Sequence, residues 1–177
     1  MEFFYPNFNN DMWRIIGTVF FDDRDHFIRA GEKRFDKERI VHFCTEKGIA
    51  LYDTATEVIR LKDNASDKFL EIVSPTDILS MLAAMPECTA VAATGQKAMD
   101  AVAAILGCPV PRTGEFTEAA IPASASSGTG MERKIHVWRM PSSSRAYPLS
   151  LEAKAAFYRR MFEAELSLGS GKEDFRK

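Results

Sequence analysis

The sequence has few of the residues from which metal sites and disulfide frameworks are built. It contains three cysteines and three histidines in 177 residues, with no CxxC motif and no pair of histidines at metal-ligand spacing. Cys44, Cys88 and Cys108 stand among apolar neighbours, a setting typical of reduced and buried thiols. We therefore expect neither disulfides nor a bound metal.

Basic residues are not in excess either. Lys and Arg number 23 against 25 Asp and Glu, so the net charge is −2 and any contact with nucleic acid must be local. No apolar run approaches the roughly 20 residues that span a bilayer, and residues 1–15 lack the basic and apolar blocks of a signal peptide. These absences predict a cytoplasmic protein without a membrane partner.

Two common catalytic motifs are missing. The segment "ATGQKA" lacks P-loop spacing, and no GxSxG elbow occurs. An unrelated α/β hydrolase that uses Ser142, Ser143 or Ser144 as its nucleophile is one alternative. The position of the last histidine, His136, weakens this alternative because no histidine follows the serines.

Helical and strand patterns alternate along the chain. Apolar spacing predicts helices over residues 11–20, 37–47, 96–106 and 151–166, with Trp13 in the core. The expected caps are Asn9 or Asn10, Asp36 with Gly48, Gly107, and Ser150.

Two further helices are predicted from capping patterns. One starts at Thr54, because Glu57 follows three residues later, and the other follows Ser74, Pro75 and Asp77. Short buried strands are predicted at "IALYD" (49–53), "TAVAATG" (89–95) and "KIHVWRM" (134–140), and a long loop over 109–131.

Strands separated by helices of this length favour parallel pairing and a three-layer α/β/α sandwich with a short parallel sheet. We expect one domain over residues 1–166 and a polar tail over 167–177. Only three strands are predicted, and the chain starts on a loop and helix. The first strand of the sheet is therefore expected to lie upstream of Met1.

Ligands of open α/β sheets bind at the carboxyl ends of the strands. Asp53, Thr94 with Gly95, and the segment from Pro141 to Arg145 follow the three predicted strands. We therefore expect a pocket there, although an acid at the end of a strand, such as Asp53, more often caps the helix predicted after it.

The segment after the last strand has three hydroxyls, Ser142, Ser143 and Ser144, followed by Arg145 and Tyr147. Such donors suit a phosphate or a backbone oxygen. An ordinary polar loop before a helix is the alternative interpretation.

Four segments, in order, resemble the uracil-DNA glycosylase superfamily. They are "YPNFNNDMW", "GIALYD", "ATGQKA" and "MPSSSRAY", within a resemblance that spans about residues 3–165 and is nearest to the hypoxanthine and mismatch-type branch. The resemblance implies a four-stranded parallel sheet between helices. It also implies a cofactor-free, monofunctional enzyme that excises uracil or hypoxanthine from DNA, and we expect it to act as a monomer.

The resemblance assigns roles to the first segment. Asn7 would supply the amide that orients or polarises the attacking water, and Asn10 would stabilise the loop, while either could contact the extruded base. An amide suits this reaction because the bond breaks with oxocarbenium character, so a weak nucleophile mainly needs positioning. Tyr5 and Phe8 would give the aromatic face on which the base stacks.

The last segment would grip the DNA. Pro141, Ser142, Ser143 and Ser144 match a Pro-Ser loop that holds the backbone, and Arg145 with Tyr147 would fill the gap left by the base and contact phosphate.

The sequence departs from the superfamily in two respects. Met140 stands where uracil-excising members place a histidine, and the family's first motif is expected upstream of the chain. A non-catalytic member that binds nucleic acid or a free base is therefore the second hypothesis.

Overall fold

The computed structural model describes residues 3–60, 70–121 and 132–166. Within these ranges the helices are α1 (Met12–Phe21), α2 (Lys37–Lys47), α3 (Ile78–Ala84), α4 (Gln96–Leu106) and α5 (Leu151–Leu166). The strands are β1 (Ala55–Arg60), β2 (Leu70–Pro75), β3 (Ala90–Thr94), β4 (Phe116–Ile121) and β5 (Arg133–Met140). The chain is thus a mixed α/β protein, which agrees with the predicted α/β class.

The described residues group into two compact units. Residues up to Tyr52 join those from Pro141 onward in one, which we call the terminal unit, and Asp53–Met140 form the other, the central unit. The terminal unit contains α1, α2 and α5, while the central unit contains all five strands with α3 and α4.

Helix α1 is the core element of the terminal unit and packs against α5. It is buried along most of its length, because Met12, Trp13, Ile15, Ile16 and Val19 are all almost inaccessible to solvent. The aromatic rings of neighbouring elements complete this core. The Phe20 ring lies 4.9 Å from those of Phe43 in α2 and Phe162 in α5.

The predicted caps of α2 and α5 are confirmed. The Asp36 carboxylate accepts a bond from the Arg39 amide at 3.1 Å, and Gly48 ends α2 in the left-handed region that glycine adopts without strain. Ser150 Oγ accepts from the Ala153 amide at 3.1 Å at the start of α5. Each cap satisfies a backbone group that the helix leaves without an internal partner.

The central unit contains a three-stranded sheet in the order β3-β5-β4. Strand β3 pairs with β5 in parallel, as predicted, whereas β4 pairs with β5 antiparallel, so the sheet is mixed. One face packs on α3 and α4 through a core of Ile78, Leu82, Ala93, Met99, Val102, Ala103, Leu106, Ala119, Ile121, Ile135 and Val137. Gly107 ends α4 as predicted.

Strands β1 and β2 form a separate antiparallel pair. The helix predicted from Thr54 is therefore wrong. The segment "ATEVIR" in β1 is rich in β-branched residues, which favour a pleated strand once a partner strand is available. The capping-box pattern is a local signal, and pairing with β2 overrides it.

The strand predicted at "IALYD" is also wrong, because residues 49–53 have no regular structure. Tyr52 is 62% exposed and Ala50 is exposed as well, so this apolar run is not a buried strand. A short apolar run does not by itself specify a strand, since a strand needs a neighbour to bond with.

Part of the predicted loop over 109–131 is strand β4. Its buried Ala119 and Ile121 alternate with exposed Glu118 and Ala120, the two-residue period of a half-buried strand. Residues 122–131 and the tail at 167–177 lie outside the described residues.

The helix predicted after Ser74 begins later than expected. Ser74 and Pro75 end β2, and Asp77 is the N-cap of α3, where its carboxylate accepts from the Ser80 amide at 3.0 Å. Within the described ranges, no helix has the length and apolar character needed to cross a membrane.

Trp13→Ala should lower the free energy of unfolding by about 3 to 5 kcal/mol, because the indole is 2% exposed and its removal leaves a cavity. Trp13→Phe keeps most of the apolar contact but loses the bond that Nε1 donates to the Phe4 carbonyl at 3.1 Å, at a cost of about 1 kcal/mol or more. Val41→Ala in α2, where the side chain is half exposed, is the control and should change stability by less than about 0.5 kcal/mol. Urea denaturation measures all three, and a Trp13→Ala loss no larger than the control would contradict the core assignment.

Candidate functional site

Two segments from distant parts of the sequence lie side by side in the terminal unit. We call residues 5–11 the asparagine segment and residues 141–147 the serine loop. Asn10 and Ser144 form an antiparallel bridge, and the Asp11 amide donates to the Ser143 carbonyl at 3.0 Å. Backbone bonds therefore join the two segments that the sequence predicted to act together.

Asn7 is exposed and shapes the turn of the asparagine segment. Its Oδ1 accepts from the Asn9 amide at 2.9 Å, and its carbonyl accepts from the Asn10 amide at 2.8 Å. Only the oxygen of the side-chain amide can accept a bond, so the turn fixes which way the amide points. The Nδ2 donor is then the group that Asn7 can offer to a ligand.

Asn10 is half-buried and serves the start of α1. Its Oδ1 accepts from the Met12 amide at 2.9 Å, which satisfies one of the first backbone donors of the helix. The residue that precedes the helix directly, Asp11, makes no side-chain cap bond. The side chain of Asn10 therefore has a structural role at the start of α1.

The carboxylate of Asp11 is the centre of the site. Asp11 is 8% exposed, and it lies between two cations. Lys154 Nζ donates to Oδ2 at 3.0 Å, and Arg145 Nε donates to Oδ1 at 3.1 Å. Because charge-assisted bonds hold both oxygens, the carboxylate fixes the positions of α5 and the serine loop relative to the asparagine segment.

Lys154 is the functional candidate that the sequence analysis missed. It is 1% exposed, and Nζ also donates to the Ser144 carbonyl at 2.8 Å. A signal was present in the sequence, since Lys154 interrupts the apolar stripe of α5 that contains Ala155, Tyr158 and Met161. A lysine on a buried stripe needs a partner.

Arg145 was expected to contact DNA, and its guanidinium lies on the asparagine segment. Beyond Asp11, Nη1 donates to Asn9 Oδ1 at 3.4 Å and Nη2 to the Phe8 carbonyl at 3.5 Å. The side chain is nonetheless 46% exposed, so its outer edge faces solvent. Arg145 thus braces the segment and can still present positive charge.

Arg14 is a buried cation that contacts the asparagine segment. Its Nη1 donates to the Phe8 carbonyl at 2.8 Å, and its guanidinium lies 4.3 Å from the centre of the Phe8 ring. Burial, followed by repulsion from Arg145, lowers the pKa of Arg14, and the attraction of Asp25 and Asp11 offsets this only in part. The segment therefore rests on a locally positive cluster despite the negative net charge of the chain.

The serine loop is held by its own hydroxyls and by α5. Ser142 Oγ accepts from the Ser144 amide, and Ser144 Oγ from the Ala146 amide, both at 3.2 Å. Each hydroxyl keeps a hydrogen that it can donate to a ligand. The Ser143 side chain is buried, in contrast to its neighbours.

Pro141 is anchored by Tyr158, whose hydroxyl donates to the Pro141 carbonyl at 3.1 Å. Burial, with a smaller effect of Tyr5, raises the pKa of Tyr158 well above its usual range, so this hydroxyl stays protonated and remains a donor.

The expected aromatic residues flank these segments. Tyr5 is half-buried with φ of 54°, in the left-handed region that costs a non-glycine residue about 1 to 3 kcal/mol and is found mainly where function or packing demands it. The Phe8 ring is contacted by Arg14 and by the Phe35 ring at 5.4 Å. Tyr147 is half-buried in the serine loop, where its amide donates to the Ser144 carbonyl at 3.1 Å.

The remaining predicted pocket residues belong to the central unit. The Asp53 carbonyl accepts from Thr76 Oγ1 at 2.6 Å, and since β1 follows, Asp53 is not the helix cap considered above. Thr94 ends β3, and Gly95, with φ of 90°, precedes α4 and donates its amide to the Met140 carbonyl at 3.0 Å. A pocket that includes these residues stays a prediction.

Asp11→Asn should lower the free energy of unfolding by about 3 to 5 kcal/mol, because it leaves Lys154 buried without an opposite charge. Adding Lys154→Met to Asp11→Asn should recover most of this loss, since neither charge then remains buried. Asp22→Asn is the matched control. Asp22 is exposed and pairs at 3.1 Å with Arg159, which is itself partly exposed, so its replacement should change stability by less than about 0.5 kcal/mol. Chemical denaturation gives the values, and an Asp11→Asn loss as small as that of the control would show that the pair does not hold the site.

Among the described residues, no group of three or more His, Cys, Asp and Glu side chains is placed to hold a metal ion. Comparison of the chain with protein-family models, with curated proteins and with solved structures gives no match to any of the three.

Proposed function

We propose that the protein is a DNA glycosylase of the uracil-DNA glycosylase type. It hydrolyses the N-glycosidic bond of uracil or hypoxanthine in DNA during base excision repair in the cytoplasm, on a three-layer α/β/α fold. One observation carries the proposal, namely the pairing of the asparagine segment with the serine loop. Asp11 and Arg145, one in each of these segments, are 134 residues apart in the sequence, yet their side chains form a direct hydrogen bond.

The proposed chemistry centres on Asn7. As the bond between the sugar and the base breaks, positive charge develops on the sugar and negative charge on the leaving base. An amide in a fixed turn can donate to the base through Nδ2 or orient the water that adds to C1′, and the proton that this water releases goes to the departing base anion or to solvent. Neither role of the amide needs a titratable group. The bond from the Asn9 amide supports this assignment because it holds the Asn7 amide in one orientation before substrate arrives.

Local charge supports a DNA substrate. Lys154 neutralises the buried carboxylate of Asp11 and Asp25 offsets Arg14 only in part, so the half-exposed Arg145 is the cation left to attract phosphate although the chain as a whole is slightly acidic. The hydroxyls of Ser142 and Ser144 and the exposed edge of Arg145 are the donors that would contact the backbone.

A base within a duplex must be extruded before its glycosidic bond can be reached. Tyr5 and Tyr147 are half-buried aromatic residues in the two segments and would stack on the extruded base or fill the gap that it leaves. Phe8 is less available to stack on the extruded base, because the Arg14 guanidinium already covers its ring.

One observation favours the second candidate, a non-catalytic protein that binds nucleic acid or a free base. Met140 is 1% exposed and replaces the histidine expected to stabilise the leaving base. A thioether cannot donate a hydrogen bond, so that part of the catalytic apparatus would have to be supplied by Asn7 alone.

The test is excision by the purified protein on labelled DNA that carries G·U, A·U or hypoxanthine. Asn7→Ala should reduce the single-turnover rate by about 100-fold or more, the usual cost of removing one preorganised donor. Asn7→Asp keeps an oxygen for the Asn9 amide but lacks the Nδ2 donor, so it should be equally inactive if donation is the role of Asn7.

Thr45→Ala, at an exposed position of α2, is the control and should retain the full rate. Excision by Asn7→Ala at the rate of the parent protein would remove Asn7 from the mechanism. A folded parent protein that binds DNA but cuts none of the three substrates would favour the non-catalytic candidate.

A further inference from the structure

We propose that Lys154 is a positioning residue, which holds the asparagine segment and the serine loop in their working arrangement through Asp11 and the Ser144 carbonyl. This inference rests on the proposed function for its kinetic consequence. Its structural consequence can be measured independently of any activity.

One atom of Lys154, Nζ, bonds to both the asparagine segment and the serine loop. Nζ donates to Asp11 Oδ2 at 3.0 Å in the asparagine segment and to the Ser144 carbonyl at 2.8 Å in the serine loop. These bonds start from α5, which packs on α1 within the same unit. A rigid helix therefore fixes the distance between the two segments.

The charge of Lys154 is not explained by stability alone. A buried ion pair is often no more stabilising than an apolar pair of similar volume, because both groups must leave water. The neighbours of Lys154 on α5, Ala155, Tyr158 and Met161, are buried, and a methionine would suit the same stripe. What an apolar side chain could not do is bond to both Asp11 and Ser144.

A short series of hydrogen-bonded residues connects Lys154 to Asn7. Asp11 is bonded to the serine loop by its amide, and the Asn10 amide just before it donates to the Asn7 carbonyl at 2.8 Å. A shift of the Asp11 carboxylate would therefore move the turn that orients the Asn7 amide. Misplacement of a reacting group by about 1 Å can cost about 100-fold in rate.

The first experiment is amide hydrogen exchange of the full chain and of Lys154→Met. The Asp11 amide, which donates to the Ser143 carbonyl, and the Asn10 amide should exchange at least 10-fold faster in the variant. The amides of Tyr158 and Met161, inside α5, should change by a smaller factor than these two, because their bonds lie within the helix. Equal exchange at Asp11 in the two proteins would overturn the proposal, whatever their activity.

The second experiment separates positioning from binding. Lys154 is buried, so Lys154→Met should lower the single-turnover excision rate by 10-fold to 100-fold while the protein concentration that half-saturates the DNA changes by less than 3-fold. A residue that binds phosphate directly would change the half-saturating concentration instead.

Met161→Ala is the matched control, since Met161 is buried on the same face of α5 and has no polar contact with the site. It should lose stability but keep the parent rate at a temperature where it is fully folded. If Met161→Ala slows excision as much as Lys154→Met, the role of Lys154 is general support of the fold and the proposal fails.

The two readouts distinguish this proposal from the proposed function. Faster exchange at Asp11 in Lys154→Met, with no excision by the parent protein, would support the positioning role and reject the glycosylase activity. Excision that is unaffected by Lys154→Met would support the activity and reject the positioning role.

Discussion

The terminal unit depends on one buried carboxylate. Asp11 receives bonds from Lys154 and Arg145, so a single negative charge ties α5 and the serine loop to the start of α1. Removing an ionised group from water is costly, and the cost is offset only where its partners are close and well directed. The site can therefore adopt few alternative arrangements, because each would leave a buried charge without its counterion.

The charge around the asparagine segment differs in sign from the net charge of the chain. The cations Arg14, Arg145 and Lys154 converge on the asparagine segment, and most of the acidic residues lie elsewhere. Arg14 and Lys154 are buried, so Arg145 is the one of these three cations whose side chain also faces solvent. The net charge of the chain therefore does not describe the charge around this segment.

Helices with local caps could be predicted from the sequence, and elements that depend on distant partners could not. Asp36, Gly48 and Ser150 bond within a few residues of themselves, so α2 and α5 begin and end where expected. Strand β1 depends on β2, and β4 on β5, so their local patterns were misread. The candidate site shows the same difference between local and distant contacts. The turn at Asn7 is local, whereas the acidic partner of Lys154 is 143 residues away and no nearby residue indicates it.

The terminal unit is made from both sides of the central unit in sequence, and this has a consequence for synthesis on the ribosome. Residues up to Tyr52 emerge before the central unit, and α1 cannot complete its packing until α5 has been made. At about 5 to 20 residues per second, the intervening residues take about 5 to 20 s to appear. During that time Phe20 lacks the Phe162 ring that it contacts in the finished protein, so the nascent chain offers an apolar surface of α1 to chaperones before it can close its own site.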